Sequence, residues 1–225
     1  MKIGILQTGI VPEDLSPNYG EYPDMFETFL GGHGFEFETY AVVNGEFPNS
    51  IQDCDGWLVT GSKHGAYEDH DWIPPLEDFI RDTYSANLPI VGICFGHQIM
   101  AQALGGKVEK FGGLWGMGTQ EYSHPDGTKT KLLAMHQDQV VEKPPEAEIV
   151  ASNDFCKIAG LAYKNKALSY QPHPEFTHEF MEGLIKSRMG VTIPMDQAEP
   201  SLVDVYAAND SKAYSDRIAE FFKSA

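Results

Sequence analysis

The segment PIVGICFGHQIMAQALGG, residues 89–106, is the most informative part of the sequence about the architecture of the chain. An apolar run reaches Gly92 and is followed by Cys94 and Gly96, and a helical pattern then continues to a pair of glycines. A short buried strand that passes directly into a helix is typical of a parallel sheet covered by helices. Glycines two residues before and after Cys94 also match the spacing of a sharp turn that exposes a nucleophile at the carboxyl edge of such a sheet.

Cys94 has two competing interpretations. Free cysteine is among the most frequently buried residue types, so composition alone favours a structural thiol. A position at a helix N-terminus favours the thiolate instead, and the amide of Phe95 would point to the place where an oxyanion forms. The nucleophile interpretation therefore requires a base elsewhere in the chain.

Strand and helix patterns follow one another along the rest of the chain. Before residue 89 they are, in order, KIGILQT, YPDMFETFLGG, FEFETYAVV, DGWLVTG and PPLEDFIRDTYSAN, of which the second and fifth are helical. Between Lys107 and Tyr170, turn residues separate short segments that predict antiparallel strands added to the core, namely KVEKFGG, TKTKLLAMH, AEIVASN and KALSYQ. Two helices, EFTHEFMEGLIKSRMG and SKAYSDRIAEFFKSA, are predicted to close the chain, with a proline-containing connection from Ile193 to Pro200. We therefore predict an α/β fold with an open, mixed and mostly parallel central sheet flanked by helices, as one domain over residues 1–225.

Composition and charge exclude several classes of function. A formal net charge of −17 argues against nucleic acid or an anionic membrane as a partner. The three cysteines have no CxxC spacing, and His64 and His70 with nearby Asp69 or Asp71 follow no metal-ligand pattern, so we expect neither a disulfide framework nor a metal site. No apolar run approaches the roughly 20 residues of a membrane span, and the N-terminus lacks a secretory cleavage signal, so we expect a cytoplasmic protein.

The segment QPHPEF, residues 171–176, supplies a candidate base. Glu175 follows His173 by two residues, so in an extended segment both side chains project to the same side. Pro172 and Pro174 restrict the segment to such a conformation. The spacing fits the order of nucleophile, base and orienting carboxylate, although taken alone it also fits a solvated loop before a helix.

Two other histidines compete with His173. His97 lies three residues after Cys94 on the same predicted helix, which displaces its side chain along the helix rather than above the sulfur. His136 ends a predicted strand and is a candidate pocket residue.

Three motifs together resemble a class I glutamine amidotransferase domain, similar to the glutaminase domain of GMP synthase. They are GICFGHQ at 92–98, QPHPEF at 171–176 and TGSKHGAYED at 60–69. The resemblance covers nearly the whole chain and implies a flavodoxin-like fold, no cofactor, and a glutamyl thioester that forms as ammonia leaves and is then hydrolysed by water. The triad that it implies consists of Cys94, His173 and Glu175.

The same resemblance assigns roles to further residues. The amides of Gly61 and Phe95 correspond to the oxyanion donors of the family. Gln98 matches the residue that holds the amino acid end of the substrate. Gln137 and Asp138 match a pocket loop near the α-carboxylate and α-amino groups.

The resemblance leaves the identity of the substrate open. Met135 occupies a position where glutamine-binding members often carry serine or asparagine. The chain also has no P-loop and no room for an acceptor domain, so ammonia would pass to a separate synthetase subunit. The alternative is a γ-glutamyl peptidase or γ-glutamyl amide hydrolase that uses the same triad. A non-enzymatic regulatory or binding member of the fold is disfavoured by the intact triad.

Overall fold

The computed structural model describes residues 1–164 and 166–224 of the chain. In this part of the chain the strands are β1 (Lys2–Leu6), β2 (Glu36–Tyr40), β3 (Gly56–Val59), β4 (Ile90–Ile93), β5 (Lys107–Lys110), β6 (Gly116–Ser123), β7 (Lys129–His136), β8 (Asp138–Glu142), β9 (Ala147–Ala151), β10 (Gly160–Tyr163) and β11 (Ala167–Tyr170). The helices are α1 (Ser16–Tyr19), α2 (Tyr22–Phe29), α3 (Ile73–Ser85), α4 (Phe95–Ala103), α5 (His178–Arg188), α6 (Met195–Val203) and α7 (Ser211–Lys223). None of the helices described is both long and apolar enough to cross a bilayer.

A mixed sheet forms the centre of the fold, as predicted. Its strand order is β2-β1-β3-β4-β11-β10-β9. The first five strands in this order are parallel to one another, whereas β10 pairs antiparallel with both β11 and β9. The sheet is therefore mostly parallel, and the carboxyl ends of β1, β3, β4 and β11 lie along one edge, where ligands bind in folds of this kind.

Alternating side chains of the buried strands face opposite layers of helices. On β3, Trp57 and Val59 join a hydrophobic cluster with residues of α3 and α4, whereas Leu58 joins a second cluster with residues of α2 and α7. Because successive side chains of a strand point to opposite faces, a run that is apolar at every position needs helices on both sides. This is why the short segment GWLV is buried throughout.

The middle of the chain departs from the predicted arrangement. The segment KALSYQ contains β11, which pairs in parallel with β4, so the expectation that it adds an antiparallel strand to the parallel core is wrong. The hairpin from β10 reverses the chain, and since β10 runs antiparallel to the core, β11 returns parallel to it. The segments KVEKFGG and TKTKLLAMH, in contrast, lie outside the central sheet, because β5 pairs with β8 and β6 with β7 in two separate sheets.

A helix replaces the predicted connection before the last helix. Residues Met195–Val203 form α6, with Pro200 inside it, where a connection from Ile193 to Pro200 is expected from the proline content. Pro194 precedes the first helical residue, and its carbonyl accepts from the Ala198 amide at 3.0 Å. Ala198 is fully buried. Packing of this short helix therefore outweighs the single backbone hydrogen bond that Pro200 cannot donate.

Candidate active site

Cys94 occupies a strained turn between β4 and α4. Its backbone has φ 55° and ψ −104°, a conformation that residues other than glycine rarely adopt. The Cys94 amide donates to Tyr170 O at 2.8 Å. A Cβ carbon placed on Gly92 would stand 2.4 Å from Gly96 O, and one placed on Gly96 would stand 2.3 Å from Val59 O. Both glycines are therefore required for the close approach of strand and helix that produces this turn.

His173 is fixed in orientation by contacts on several sides. Its amide donates to Leu133 O at 2.8 Å, and its Nδ1 donates to Glu175 Oε1 at 2.7 Å. The ring stacks on Phe176 with centroids 3.9 Å apart and an interplanar angle of 5°. Because Nδ1 is bonded to Glu175, Nε2 is the ring nitrogen that remains for the sulfur of Cys94.

The electrostatics of His173 favour the imidazolium. Complete burial of the ring opposes protonation, but the charges of Glu175 and Cys94 and its hydrogen bonds with both groups outweigh burial and raise the pKa of His173 to about 10. Glu175 is itself buried, and its second oxygen, Oε2, accepts no hydrogen bond from the described residues. The carboxylate is thus directed at the imidazole alone.

Gly61 lies next to both Cys94 and His173. A Cβ carbon placed on Gly61 would stand 2.9 Å from His173 Cε1 and 3.6 Å from Cys94 Cβ. In the described part of the chain, neither the Gly61 amide nor the Phe95 amide donates a hydrogen bond to a backbone carbonyl. The side chain of Phe95 is buried against Trp72, with ring centroids 5.5 Å apart, so only its amide is placed to act at the site.

A cavity of about 780 Å³ opens above Cys94. The predicted substrate-binding residues Gln98, Gln137 and Asp138 all line it, as does the candidate pocket residue His136. The sequence-predicted site residues therefore come together in two groups, which meet at Cys94. The buried group consists of Cys94, His173, Glu175 and Gly61. The wall of the cavity consists of Gln98, His136, Gln137 and Asp138.

Gln98 and Asp138 are organised by hydrogen bonds. Gln98 Nε2 donates to Asp138 O at 2.9 Å and to Gln171 Oε1 at 3.1 Å, which leaves Gln98 Oε1 available to a ligand. Tyr67 OH donates to Asp138 Oδ2 at 3.1 Å. Burial raises the pKa of Asp138 in spite of this bond and the nearby Lys110. Neither Tyr67 nor Gln171 is predicted as a site residue from the sequence.

The competing histidines have structural partners. His97 Nε2 donates to Ile158 O at 3.0 Å and its Nδ1 accepts from Ser169 Oγ at 2.8 Å, and burial lowers the pKa of His97 to about 4. His136 Nδ1 donates to Asp138 O at 3.2 Å, and burial lowers the pKa of His136 to about 3. Both rings are therefore neutral at pH 7, and His97 is fully occupied by its bonds to the core.

Three basic residues on the wall of the cavity are absent from the predicted site. Lys63, Lys110 and Arg188 line the cavity, and none of them forms an ion pair with a carboxylate of the described residues. The chain has 16 lysines and arginines against 33 carboxylate residues, so three basic side chains without an ion pair around one cavity depart from the overall charge balance. Lys63 lies in the motif at residues 60–69, whereas Lys110 and Arg188 come from distant segments that no local pattern connects with the site.

A cluster of potential metal ligands lies outside the triad. In the described part of the chain, His64, Glu68 and His70 bring their ligand atoms within 4.8 Å of one another. The carboxylate of this cluster is Glu68, and neither Asp69 nor Asp71 takes part.

The chain is similar to known proteins both in sequence and in fold. The family model for "Glutamine amidotransferase class-I" matches residues 37–188. Gamma-glutamyl peptidase 4 of Arabidopsis thaliana is 32% identical over 182 residues, which cover 74% of this chain and 72% of that protein. A glutamine-hydrolysing GMP synthase of Burkholderia mallei is 35% identical over 154 residues, covering 58% of this chain and 28% of that protein. The solved structure of a glutamine amidotransferase from Methylobacillus flagellatus is similar in fold, with a TM-score of 0.77 at 21% identity, and the match covers 100% of this chain and 92% of that one.

Proposed function

The chain belongs to the class-I glutamine amidotransferase family, and from this premise we propose that it hydrolyses γ-glutamyl amide bonds with a Cys94-His173-Glu175 triad. The observation that carries the proposal is the 2.7 Å hydrogen bond from His173 Nδ1 to Glu175 Oε1, in a site where His173 also interacts with Cys94. The strained turn supports it, because such backbone strain is concentrated at functional sites.

The first half of the reaction forms a thioester. His173 Nε2 holds the proton taken from the Cys94 thiol, in keeping with its raised pKa, and the sulfur attacks the γ-carbonyl carbon of the substrate. The amides of Gly61 and Phe95 donate hydrogen bonds to the resulting oxyanion, each worth on the order of 3 kcal/mol. The imidazolium then donates its proton to the leaving nitrogen, the C–N bond breaks, and the γ-glutamyl group stays on the sulfur.

The second half releases glutamate. A water molecule gives its proton to His173 Nε2 and its oxygen attacks the thioester carbon. The C–S bond breaks, and the sulfur recovers a proton from His173. The charge of Glu175 stabilises the imidazolium in both halves, which agrees with the raised pKa of His173.

We propose that the leaving group is the amine of a peptide that carries a free carboxylate. Lys63, Lys110 and Arg188 give the cavity three cations, none of which forms an ion pair within the described chain. A cavity of about 780 Å³ also has room for more than a glutamyl group. The name of the similar plant protein, a γ-glutamyl peptidase, points the same way. Glutamine with ammonia as the product is the second candidate, which the similarity to GMP synthase supports, and a separate synthetase would then be a candidate acceptor of the ammonia.

Glutamate release from three substrates tests both parts of the proposal. The first substrate is glutamine, and the second is a γ-glutamyl dipeptide with a free carboxylate at its C-terminus. The third is the matching γ-glutamyl amide, in which the second amino acid is replaced by the amine that lacks this carboxylate. We expect turnover of the dipeptide to be the most efficient, and no turnover of any of them by Cys94→Ala. The matched control is Cys54→Ala, because Cys54 is a buried thiol away from the cavity. Turnover by Cys94→Ala would contradict the mechanism, whereas a preference for glutamine would contradict only the assignment of the leaving group.

A further inference from the structure

We propose that His64, Glu68 and His70 bind a divalent transition-metal ion, with Zn²⁺ as the best-suited candidate, at the mouth of the active-site cavity. The cluster belongs to the loop between β3 and α3, and its members are not part of the triad. A metal ion has no part in the proposed hydrolysis, so this site would add a second function to the cavity.

The three side chains converge on one point. His70 Nε2 lies 2.8 Å from Glu68 Oε2, and His64 Nδ1 lies 3.3 Å from the same oxygen. The rings of the two histidines have centroids 4.3 Å apart. Two imidazoles therefore direct ring nitrogens at a single carboxylate oxygen, Glu68 Oε2. Separations of about 3 Å between ligand atoms are those of a metal ion bound at about 2 Å from each ligand.

The backbone of the loop holds these side chains in place. Glu68 N donates to Gly65 O at 3.0 Å, and His70 N donates to Glu68 O at 3.1 Å. The ring of His70 stacks on buried Trp72 at an interplanar angle of 13°. The amide of His64 donates to Ser62 Oγ at 3.2 Å. The arrangement is thus organised before any ion binds, which favours binding because little ordering remains to be done.

The donor set selects the class of ion. Two imidazole nitrogens and one carboxylate oxygen suit zinc and its neighbours in the first transition row, whereas magnesium and calcium prefer oxygen ligands alone. The three side chains are half-buried or exposed, so an ion can reach them from solvent. The net charge of −17 attracts cations to the surface.

The position of the cluster indicates the effect of binding. His64 and Glu68 also line the cavity above Cys94, and Tyr67 between them donates to Asp138. Three protein ligands leave the fourth tetrahedral position to water or to an anionic group of a bound molecule. An ion would tie together the two ends of the segment from His64 to His70, and with them the residues of the cavity mouth.

Calorimetric titration with Zn²⁺ tests the site directly. The titration uses the full chain as Cys94→Ser, because the active-site thiol is itself a possible zinc ligand. We expect one ion to bind per chain. Adding Glu68→Gln or His70→Gln to Cys94→Ser should weaken the affinity more than about tenfold. Adding Asp69→Asn should leave the affinity unchanged, because this exposed carboxylate is adjacent to the cluster but is not part of it. Circular dichroism of each metal-free variant shows whether it is folded.

Thermal unfolding gives a second measurement of zinc binding that does not depend on the Glu68 and His70 variants being stable. The melting temperature of the chain that carries only Cys94→Ser should rise on addition of Zn²⁺ and fall back on addition of EDTA, because an ion that binds only the folded state stabilises it. The absence of saturable binding to Cys94→Ser would overturn the proposal. Equal affinity in Asp69→Asn, Glu68→Gln and His70→Gln would overturn it as well.

Discussion

Gly61 stands against the imidazole of His173, and a Cβ carbon built at position 61 would lie 2.9 Å from His173 Cε1. The same carbon would lie 3.6 Å from Cys94 Cβ. The absence of a side chain at position 61 therefore lets the base approach the nucleophile. It also lets the backbone amide of Gly61 approach the place where the oxyanion would form.

Gly61→Ala should reduce kcat by about a hundredfold, because displacement of a catalytic group by about 1 Å has an effect of this size. The added methyl group would displace the ring of His173, one face of which is packed on Phe176. Steady-state kinetics with a γ-glutamyl dipeptide measure the change, and a melting curve shows whether the chain remains folded. A folded variant with the kcat of the unmodified chain would show that His173 is not constrained from this side.

Glu175→Gln should reduce kcat by about 10⁴-fold, the size of effect seen when the orienting carboxylate of a triad is neutralised. Loss of the negative charge should also lower the pKa of His173, since the charge of Glu175 is one of the causes that raise it. Kinetics and an NMR titration of the His173 ring give the two readouts. The control is Glu179→Gln, an exposed carboxylate in the first turn of α5, which should leave both unchanged.

Arg188→Gln should raise KM for a γ-glutamyl dipeptide by about tenfold, the effect of losing roughly 1.4 kcal/mol of charge-assisted binding. KM for the γ-glutamyl amide without a carboxylate should not change. Lys186→Gln is the matched control, because Lys186 lies two residues earlier on α5, outside the cavity, and pairs with Glu182. Equal effects of Arg188→Gln on both substrates would show that Arg188 does not contact the carboxylate.

His97 should make the stability of the fold depend on pH. Its folded-state pKa of about 4 is below the roughly 6.5 of an unfolded histidine, so its contribution is fully present above pH 6.5 and is lost as the pH falls towards 4. A lowering of this size corresponds to about 3 kcal/mol. Urea unfolding at several pH values should therefore give a free-energy difference between the unmodified chain and His97→Gln that shrinks between pH 7 and pH 4. Parallel pH profiles would contradict this assignment.

Local sequence signals predict much of the candidate triad site. The turn at Cys94 depends on glycines two residues away, and the contact between His173 and Glu175 follows from their spacing in an extended segment. Parallel strands then bring such local features together, because their carboxyl ends share one edge of the sheet. The roles of these residues in catalysis stay predictions until they are tested by experiment.

Features that depend on tertiary packing are not predictable in the same way. Periodicity shows that KALSYQ is a strand but not that it pairs in parallel with β4, because the pairing direction is set by the hairpin with β10. Arg188 reaches the cavity only because α5 packs near the hairpin of β6 and β7. Glu68 joins His64 and His70 through the folding of a loop, for which the sequence has no recognised spacing.

The most direct test of the central claim is the identification of the acyl-enzyme. The protein is mixed with a γ-glutamyl dipeptide, quenched in acid within the first turnover, digested and examined by mass spectrometry. We predict one γ-glutamyl group per chain on the peptide that contains Cys94, and none in Cys94→Ala. A γ-glutamyl group on Cys54 or Cys156, or glutamate release without any acylated cysteine, would contradict the account.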